Sequence, residues 1–434
     1  MIPKPATGLR RARMVRRQAL TIGLLVSGYA GYYFCRSNLS VTIPLLIADL
    51  ARRGMAPDAA RVMLGSMASF GVLAYAIGKF PSGGLADFLG GRRNFLFGMA
   101  GSIAFTVLFA FSGALPIFTL AWMGNRLVQS LGWAGMVNIA SKWFSFRRYG
   151  TVMAIISLSY LFGDALARQF MALLIEHGLG WRGVFLSTAA VLGALLIASL
   201  FLLRESPADI GEPEPPANPF NLFTNLNDGE KQKSLRALLS PFLSSGVFWL
   251  ACGLSLGTTI LRETFGLWTP TYFAQSAGMS VAEAAAKSAL FPLAGGVSVI
   301  LCGWMSDRLG RGGRAGVLLG GLLLSAVALL ALGLGAAAGS TFRPVALVAI
   351  IAFLIIGPYS FLGGAIALDF GGKQGSGTAS GIIDGVGYLG GVLSGDSMAR
   401  ISIAYGWNGA FLVLAGVAAI RALPLPFSCS TKGG

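Results

Sequence analysis

Residues 28–44, GYAGYYFCRSNLSVTIP, and residues 254–270, LSLGTTILRETFGLWTP, each hold one arginine inside an apolar run, eight positions before a proline. Arg36 and Arg262 are 226 residues apart, and Pro44 and Pro270 keep that offset. So do GWRGVFL from Gly180 and GWNGAFL from Gly406, while Asp87 in GGLADFLGGRR and Asp307 in CGWMSDRLGRGGR match at an offset of 220. Matches in register along the chain describe one ancestral unit used twice.

The composition fixes the medium in which that unit folds. The 434 residues are 55% hydrophobic and 12% charged, with a mean hydropathy of +0.71. A soluble globule is not built from such a chain. About twelve apolar stretches recur, each long enough to cross roughly 30 Å of hydrocarbon as a helix. They fall at 19–46, 62–86, 94–114, 116–140, 149–175, 182–203, 243–273, 284–305, 315–337, 344–369, 376–402 and, shorter, 407–422. The segment 205–233, ESPADIGEPEPPANPFNLFTNLNDGEKQK, is polar and rich in Pro and Asn, unlike either flank. The expected organisation is a basic N-terminus (1–18), a six-helix bundle (19–203), a cytosolic linker (204–242), a second six-helix bundle (243–422) and a tail (423–434). The fold class is therefore all-α membrane protein, two pseudo-symmetric bundles joined as parallel repeats.

A net charge of +16 raises the question of a polyanion partner. The basic residues fall in alternate loops: Lys4, Arg10, Arg11, Arg13, Arg16 and Arg17, then Arg92 and Arg93, Lys142, Arg147 and Arg148, and Arg308, Arg311 and Arg314. That is the positive-inside pattern, which places both termini in the cytoplasm and excludes nucleic acid as partner. Arg52, Arg53, Arg61 and Arg343 lie in or near the opposite turns, so orientation rests on the excess. The N-terminal basic segment leads into a run too long for a cleaved signal, and is expected to be an uncleaved first helix. Cys35, Cys252 and Cys302 fall within spans and Cys429 in the tail, which argues against a disulfide framework. The one histidine, His177, sits in an external turn. Zinc clusters and histidine-based triads are thereby set aside, no Gly-rich phosphate loop with its lysine is present, and no metal, cofactor or enzymatic activity is expected.

The chemistry is carried by charges where a membrane resists them. Tyr29, Tyr32, Tyr33 and Arg36 are spaced i, i+3, i+4, i+7 and share one helix face. Ser255, Thr258, Thr259 and Arg262 repeat the spacing with hydroxyls, making the two arginines symmetry mates across a central cavity. Each costs at least about 2.5 kcal/mol at mid-membrane, so each is a candidate functional residue. Ion pairing with Glu263, Asp164 or Asp384 is the alternative; Glu263 is next to Arg262, but helix neighbours point about 100° apart. Two rigid forks suit a planar or tetrahedral oxyanion. A dianion fits them better than a monoanion, because a unit-charge contact at about 4 Å contributes roughly 4 kcal/mol at an effective dielectric of 20. Inorganic phosphate and phosphate esters answer that description. Lys79 is a third intramembrane cation, placed to contact substrate or to snorkel to the cytoplasmic surface. Asp164 with Arg168, and Asp396 with Arg400, are i, i+4 pairs that compensate themselves. Asp384 has no cation within a turn and shares a face with Tyr388; it can tune the cavity, bind a sugar hydroxyl or carry a proton. Asp87 with Arg92, and Asp307 with Arg311, form acidic-then-basic loops suited to latching the cytoplasmic side by ion pairing, the alternative being that they only fix topology.

GYAGYYFCRSN (28–38), GKFPSGGLAD (78–87), QSLGWAG (129–135) followed by KWFSFRRYG (142–150), LRETFGLWTPTYF (261–273), GWMSDRLGRGGR (303–314) and GTASGIIDGVGYLGG (377–391) resemble, in that order, the signatures of the organophosphate:phosphate antiporters of the major facilitator superfamily. The resemblance covers nearly the whole chain. It implies a twelve-helix carrier of the bacterial inner membrane that exchanges a phosphate ester for inorganic phosphate, with the lipid bilayer as its medium and a monomer as its unit. It also implies that Arg36 and Arg262 bind phosphate, that Lys79 adds positive potential, and that Tyr32, Tyr33, Trp133 and Tyr388 line the cavity. Ser37 stands where the family often has a second basic residue, and Tyr160 where glycerol-phosphate carriers have a histidine. With Asp164 and Asp384, these departures point toward a bulkier sugar phosphate. Two other readings share the arginines: a membrane sensor of sugar phosphate that transports nothing, and a proton-coupled organic anion transporter with Asp384 as proton carrier.

Overall fold

The computed structural model describes residues 8–144, 149–213, 215, 242–335, 339–362, 366 and 382–422, the side chains of 8–11, 80, 83–89, 134, 137, 141, 149–151, 153, 154, 303, 306–315, 421 and 422 excepted. Among the described residues the regular structure is helical. The first half comprises α1 (Gly8–Arg52), α2 (Pro57–Leu89), α3 (Gly91–Phe111), α4 (Leu115–Trp143), α5 (Tyr149–Glu176) and α6 (Trp181–Leu202). The second comprises α7 (Gly246–Ser276), α8 (Val281–Ser288), α9 (Leu290–Gly333), α10 (Phe342–Phe361), α11 (382–391) and α12 (Asp396–Ala422). Nine described segments are long and apolar enough to cross a bilayer. The expected spans 284–305 and 315–337 both fall in or beside α9, whose helix runs on through the stretch between them. The spans 376–402 and 407–422 meet at Gly406, whose φ of 69° and ψ of 177° break α12 in two. That left-handed backbone suits only glycine there.

The sequence repeat has a counterpart in contacts. Trp181 Nε1 donates to Asp49 at 3.3 Å, and Trp407 Nε1 donates to Gln275 at 3.1 Å. Donors and acceptors are both related by the offset of 226. Phe185 and Phe411 share that offset too, and each stacks on another ring: Phe185 on Phe109 (4.5 Å between centroids) and Phe411 on Phe265 (5.9 Å).

The halves are joined near the end of the bundle where α1 stops and α2 begins. Arg61 donates to Gln275 at 3.0 Å, and Ser66 to Asp396 at 2.6 Å. Ser69 Oγ donates to the Val392 carbonyl and accepts from the Asp396 N–H. At the same level the backbones of Gly65 and Gly395 pass so closely that a Cβ on Gly395 would lie 2.1 Å from the Gly65 carbonyl oxygen. Deeper in, Pro270 has no N–H, so the Gly266 carbonyl one turn before it lacks its helical partner. Arg168 Nη2 (2.8 Å) and Ser40 Oγ (2.9 Å), both from the first half, donate to it.

At the opposite end Glu205, just past α6, caps α3. It accepts from the Gly91 N–H at 2.8 Å, the Arg92 N–H at 2.6 Å and Lys142 Nζ. Partial burial pushes its carboxyl up, but the hydrogen bond from Lys142 and the two N–H groups outweigh that and hold it below the usual range. A depressed carboxyl contributes stability that is fully present above its unfolded pKa and lost as pH falls through the folded one. Glu205→Gln is therefore expected to lower the unfolding temperature of the purified protein at pH 7 by the equivalent of about 1–2 kcal/mol. The difference from wild type should shrink as the pH approaches 4. An equal difference at both pH values would contradict this account.

Candidate functional site

A cavity of about 140 Å³ lies between the halves, lined by residues of α1, α2, α4, α5, α7, α9 and α10 and by Ser394. Arg36 and Arg262 both border it, with Tyr33 and Tyr160, as do Glu263, which sequence reading weighed only as an ion-pair partner, and Arg126, which it had not singled out. The repeat thus brings its two arginines to one space.

Arg36 is held by rings. Its guanidinium carbon lies 5.2 Å from the Tyr33 ring centroid and 4.5 Å from that of Tyr75. No carboxylate lies within ion-pair distance of it among the described residues. Arg262 differs. Its Nη2 donates to Glu263 at 2.8 Å and to the Tyr388 hydroxyl at 3.1 Å, and its guanidinium lies 4.8 Å from the Tyr359 ring. The expectation from helix geometry, that neighbours at 262 and 263 do not face each other, is overturned here. Cβ directions about 100° apart leave two long flexible side chains free to curl into one cavity and meet. Nε of Arg262 is buried with no hydrogen-bond partner among the described residues, so that donor is unused.

Lys79 does not snorkel. Its Nζ lies 5.4 Å from each of the Tyr75 and Tyr388 ring centroids and 3.9 Å from Asp384. Asp384, without a cation on its own helix, thus finds one on α2. Tyr75 and Tyr388, one from each half, stand edge to face at 5.3 Å. Four cations surround this pair of phenols, and the electron-rich ring faces offset part of the cost of holding them there.

Tyr29, Tyr32, Lys79, Trp133, Asp384 and Tyr388 are not among the residues lining the cavity. Tyr29 packs on Tyr32, Tyr33 and Trp133 at 5.7, 6.0 and 5.6 Å. Tyr32 is 2% exposed and donates to the Phe95 carbonyl at 2.6 Å, so it belongs to the packing of α1 against α3. At 100° per residue Tyr33 and Tyr32 lie on opposite edges of the arginine stripe. One edge meets the cavity and the other meets α3. Asp164 and Arg168 pair at 3.1 Å, Ser37 donates to the same carboxylate, and Arg168 also reaches Ser288 at 3.1 Å. That self-compensated pair is also a bridge between halves. Arg92 donates through Nε and Nη2 to the carbonyls of Leu203 (2.7 Å) and Leu200 (2.6 Å) within its own half. The side chains of Asp87, Asp307 and Arg311 lie outside the described residues.

Two pseudo-symmetric helical halves with a cationic cavity on their shared midline define an integral membrane carrier fold. The chain belongs to the Major Facilitator Superfamily, whose family model matches residues 25–395. It is similar to the "Probable hexose phosphate transport protein" of Chlamydia muridarum (27% identity, covering 91% of this chain and 87% of that one). It is equally similar to the "Glycerol-3-phosphate transporter" of Bacillus subtilis (27%, covering 92% and 89%). The "Membrane sensor protein UhpC" of Salmonella typhimurium is 28% identical, covering 96% of this chain and 92% of that one. Among solved structures, a D-xylose-proton symporter superposes with a TM-score of 0.71 at 17% identity, covering 93% of this chain and 96% of that one, a likeness of fold.

Proposed function

We propose that the protein exchanges an organophosphate for inorganic phosphate across a bacterial inner membrane by alternating access, as a monomer with both termini cytoplasmic. The observation that carries this reading is the convergence of Arg36 and Arg262, one from each half, on a single cavity. Relatives named for hexose phosphate and glycerol-3-phosphate support the substrate class. The halves 19–203 and 243–422 are the rocking bodies and 204–242 the tether between them. The latch of Asp87, Arg92, Asp307 and Arg311 would close the cytoplasmic side in the opposite conformation, which requires Arg92 to leave the carbonyls of α6.

Exchange follows from charge. The cavity's cations outnumber its carboxylates, and uncompensated charge in a closing, low-dielectric space is costly. A carrier loaded with a dianion then reorients faster than an empty one. Purified protein in vesicles preloaded with phosphate is expected to take up labelled glucose 6-phosphate or glycerol 3-phosphate, with little uptake when internal phosphate is omitted. Equal uptake with and without internal phosphate would overturn exchange.

The similarity to a membrane sensor favours one second reading, binding without flux. It predicts saturable binding of a phosphate ester by the purified protein and no uptake in the same vesicles. Proton-coupled transport through Asp384 would appear instead as uptake driven by a pH gradient with no phosphate inside.

A further inference from the structure

The carboxylates that border the cavity, Glu263 and Asp164, each have a cation already, Asp164 in Arg168, and so does Asp384 outside its lining. Glu263 is bonded to Arg262 at 2.8 Å and Asp384 faces Lys79 at 3.9 Å. Set against Arg36, Lys79, Arg126 and Arg262, these two leave an excess of two positive charges. The cations without a carboxylate partner among the described residues are Arg36 and Arg126.

Those two are held beside each other. Their guanidinium carbons lie 4.5 and 4.9 Å from the centroid of one ring, that of Tyr75, which bounds their separation at 9.4 Å, the sum of the two distances. The neighbouring residues fix this arrangement. Asn125 Nδ2 donates to the carbonyl of Cys35 at 2.9 Å, while its Oδ1 accepts from Ser102 and Gln129, each at 2.7 Å. The residue before Arg126 is thereby tied to the residue before Arg36. Arg126 is 3% exposed, yet it borders the cavity. A buried guanidinium aimed into a cavity without a counter-ion is a binding group awaiting one.

We infer that Arg126 is a third substrate-binding arginine: in this conformation the phosphoryl dianion is held between Arg36 and Arg126, and Glu263 occupies Arg262 as an internal anion that the substrate displaces. The inference rests on the organophosphate reading above and names which charges meet the substrate. The bound anion carries two charges because the vacant pair does. Arg262 then joins the substrate by exchanging one carboxylate for one phosphoryl oxygen, and its unused Nε becomes the second tine of a bidentate grip.

The test compares a phosphate monoester with the sulfate monoester of the same alcohol, a dianion and a monoanion of nearly one shape. Each would compete against labelled inorganic phosphate for binding to the purified full-length protein. Arg126→Gln is expected to weaken the phosphate ester by about tenfold to a hundredfold and the sulfate ester by much less, so that the preference for the dianion collapses. Arg126→Lys, which keeps the charge, should retain part of that preference. Glu263→Gln should bind the phosphate ester about fivefold to tenfold more tightly, because Arg262 is released from its competitor. Equal weakening of both esters by Arg126→Gln would assign the residue to packing, and no weakening would make it a bystander. Binding by Glu263→Gln that is unchanged or weaker would remove the internal anion. These arms apply where wild type binds the phosphate ester; a wild type that binds neither ester would overturn the organophosphate reading itself, and this inference with it.

Discussion

Arg36→Lys is expected to reduce phosphate-linked uptake in vesicles by at least about a hundredfold, and Arg262→Lys to do nearly the same. Charge is kept in both variants, so the loss measures geometry. Arg36 lies 4.5 Å from one ring and 5.2 Å from another, contacts suited to a flat guanidinium. An ammonium keeps the positive charge but loses the fork that grips two oxygens at once. The consequence of replacing Arg262 goes further, because its Nη2 serves both Glu263 and Tyr388. A lysine there contacts the carboxylate as a point charge and has no second tine to offer the substrate. Initial rates of labelled phosphate exchange at equal reconstituted protein are the measurement. Exchange at the wild-type rate in either variant would contradict the assignment of the two arginines.

The second large effect concerns the joint between halves. Arg168→Leu is expected to destabilise the protein by about 3–5 kcal/mol, the usual result of stranding a buried carboxylate. Arg168 is 2% exposed and its guanidinium satisfies Asp164, Ser288 and the free Gly266 carbonyl together. With leucine in its place Asp164 keeps only the Ser37 hydroxyl, and Gly266 only that of Ser40. Adding Asp164→Asn to Arg168→Leu should recover about half of the loss, since a neutral amide costs less to bury than an unpaired charge. Unfolding in detergent, followed for wild type, both single variants and the double, checks this cycle. A loss below about 1 kcal/mol for Arg168→Leu would show the bridge to be incidental.

Most of the architecture was readable because hydropathy and repetition are long-range signals that survive local variation. The two arginine stretches and the Gly-Trp pair mark two halves, and Trp181 with Asp49 and Trp407 with Gln275 display the same offset in space, while residues 216–241 of the polar linker lie outside the described residues. Of the residues that border the cavity, the sequence pointed to Arg36 and Arg262 through the repeat, and to Tyr33 and Tyr160 without it. Arg126 satisfies the criterion that singled out Arg36, a charge inside an apolar span. Its equivalent at the 226 offset is Ala352, however, so comparing halves gives it no mate. Tyr75 and Tyr359 are aromatic residues on apolar helices, and nothing in their spacing separates them from packing residues such as Tyr32. Glu263 was visible, but whether adjacent side chains meet depends on rotamers, which periodicity does not encode.

The contact between Gly65 and Gly395 bears on how such a molecule moves. At the glycine pair itself the main chains touch without intervening side chains, so the hold between the halves there falls to Ser66 and Ser69 beside it. Bulkier residues at 65 or 395 would wedge the two halves apart at this end of the bundle, since a Cβ on Gly395 would meet the Gly65 carbonyl oxygen. Movement of one half against the other at this joint would therefore have to break the serine bonds of α2 while the glycine contact itself slides apart freely.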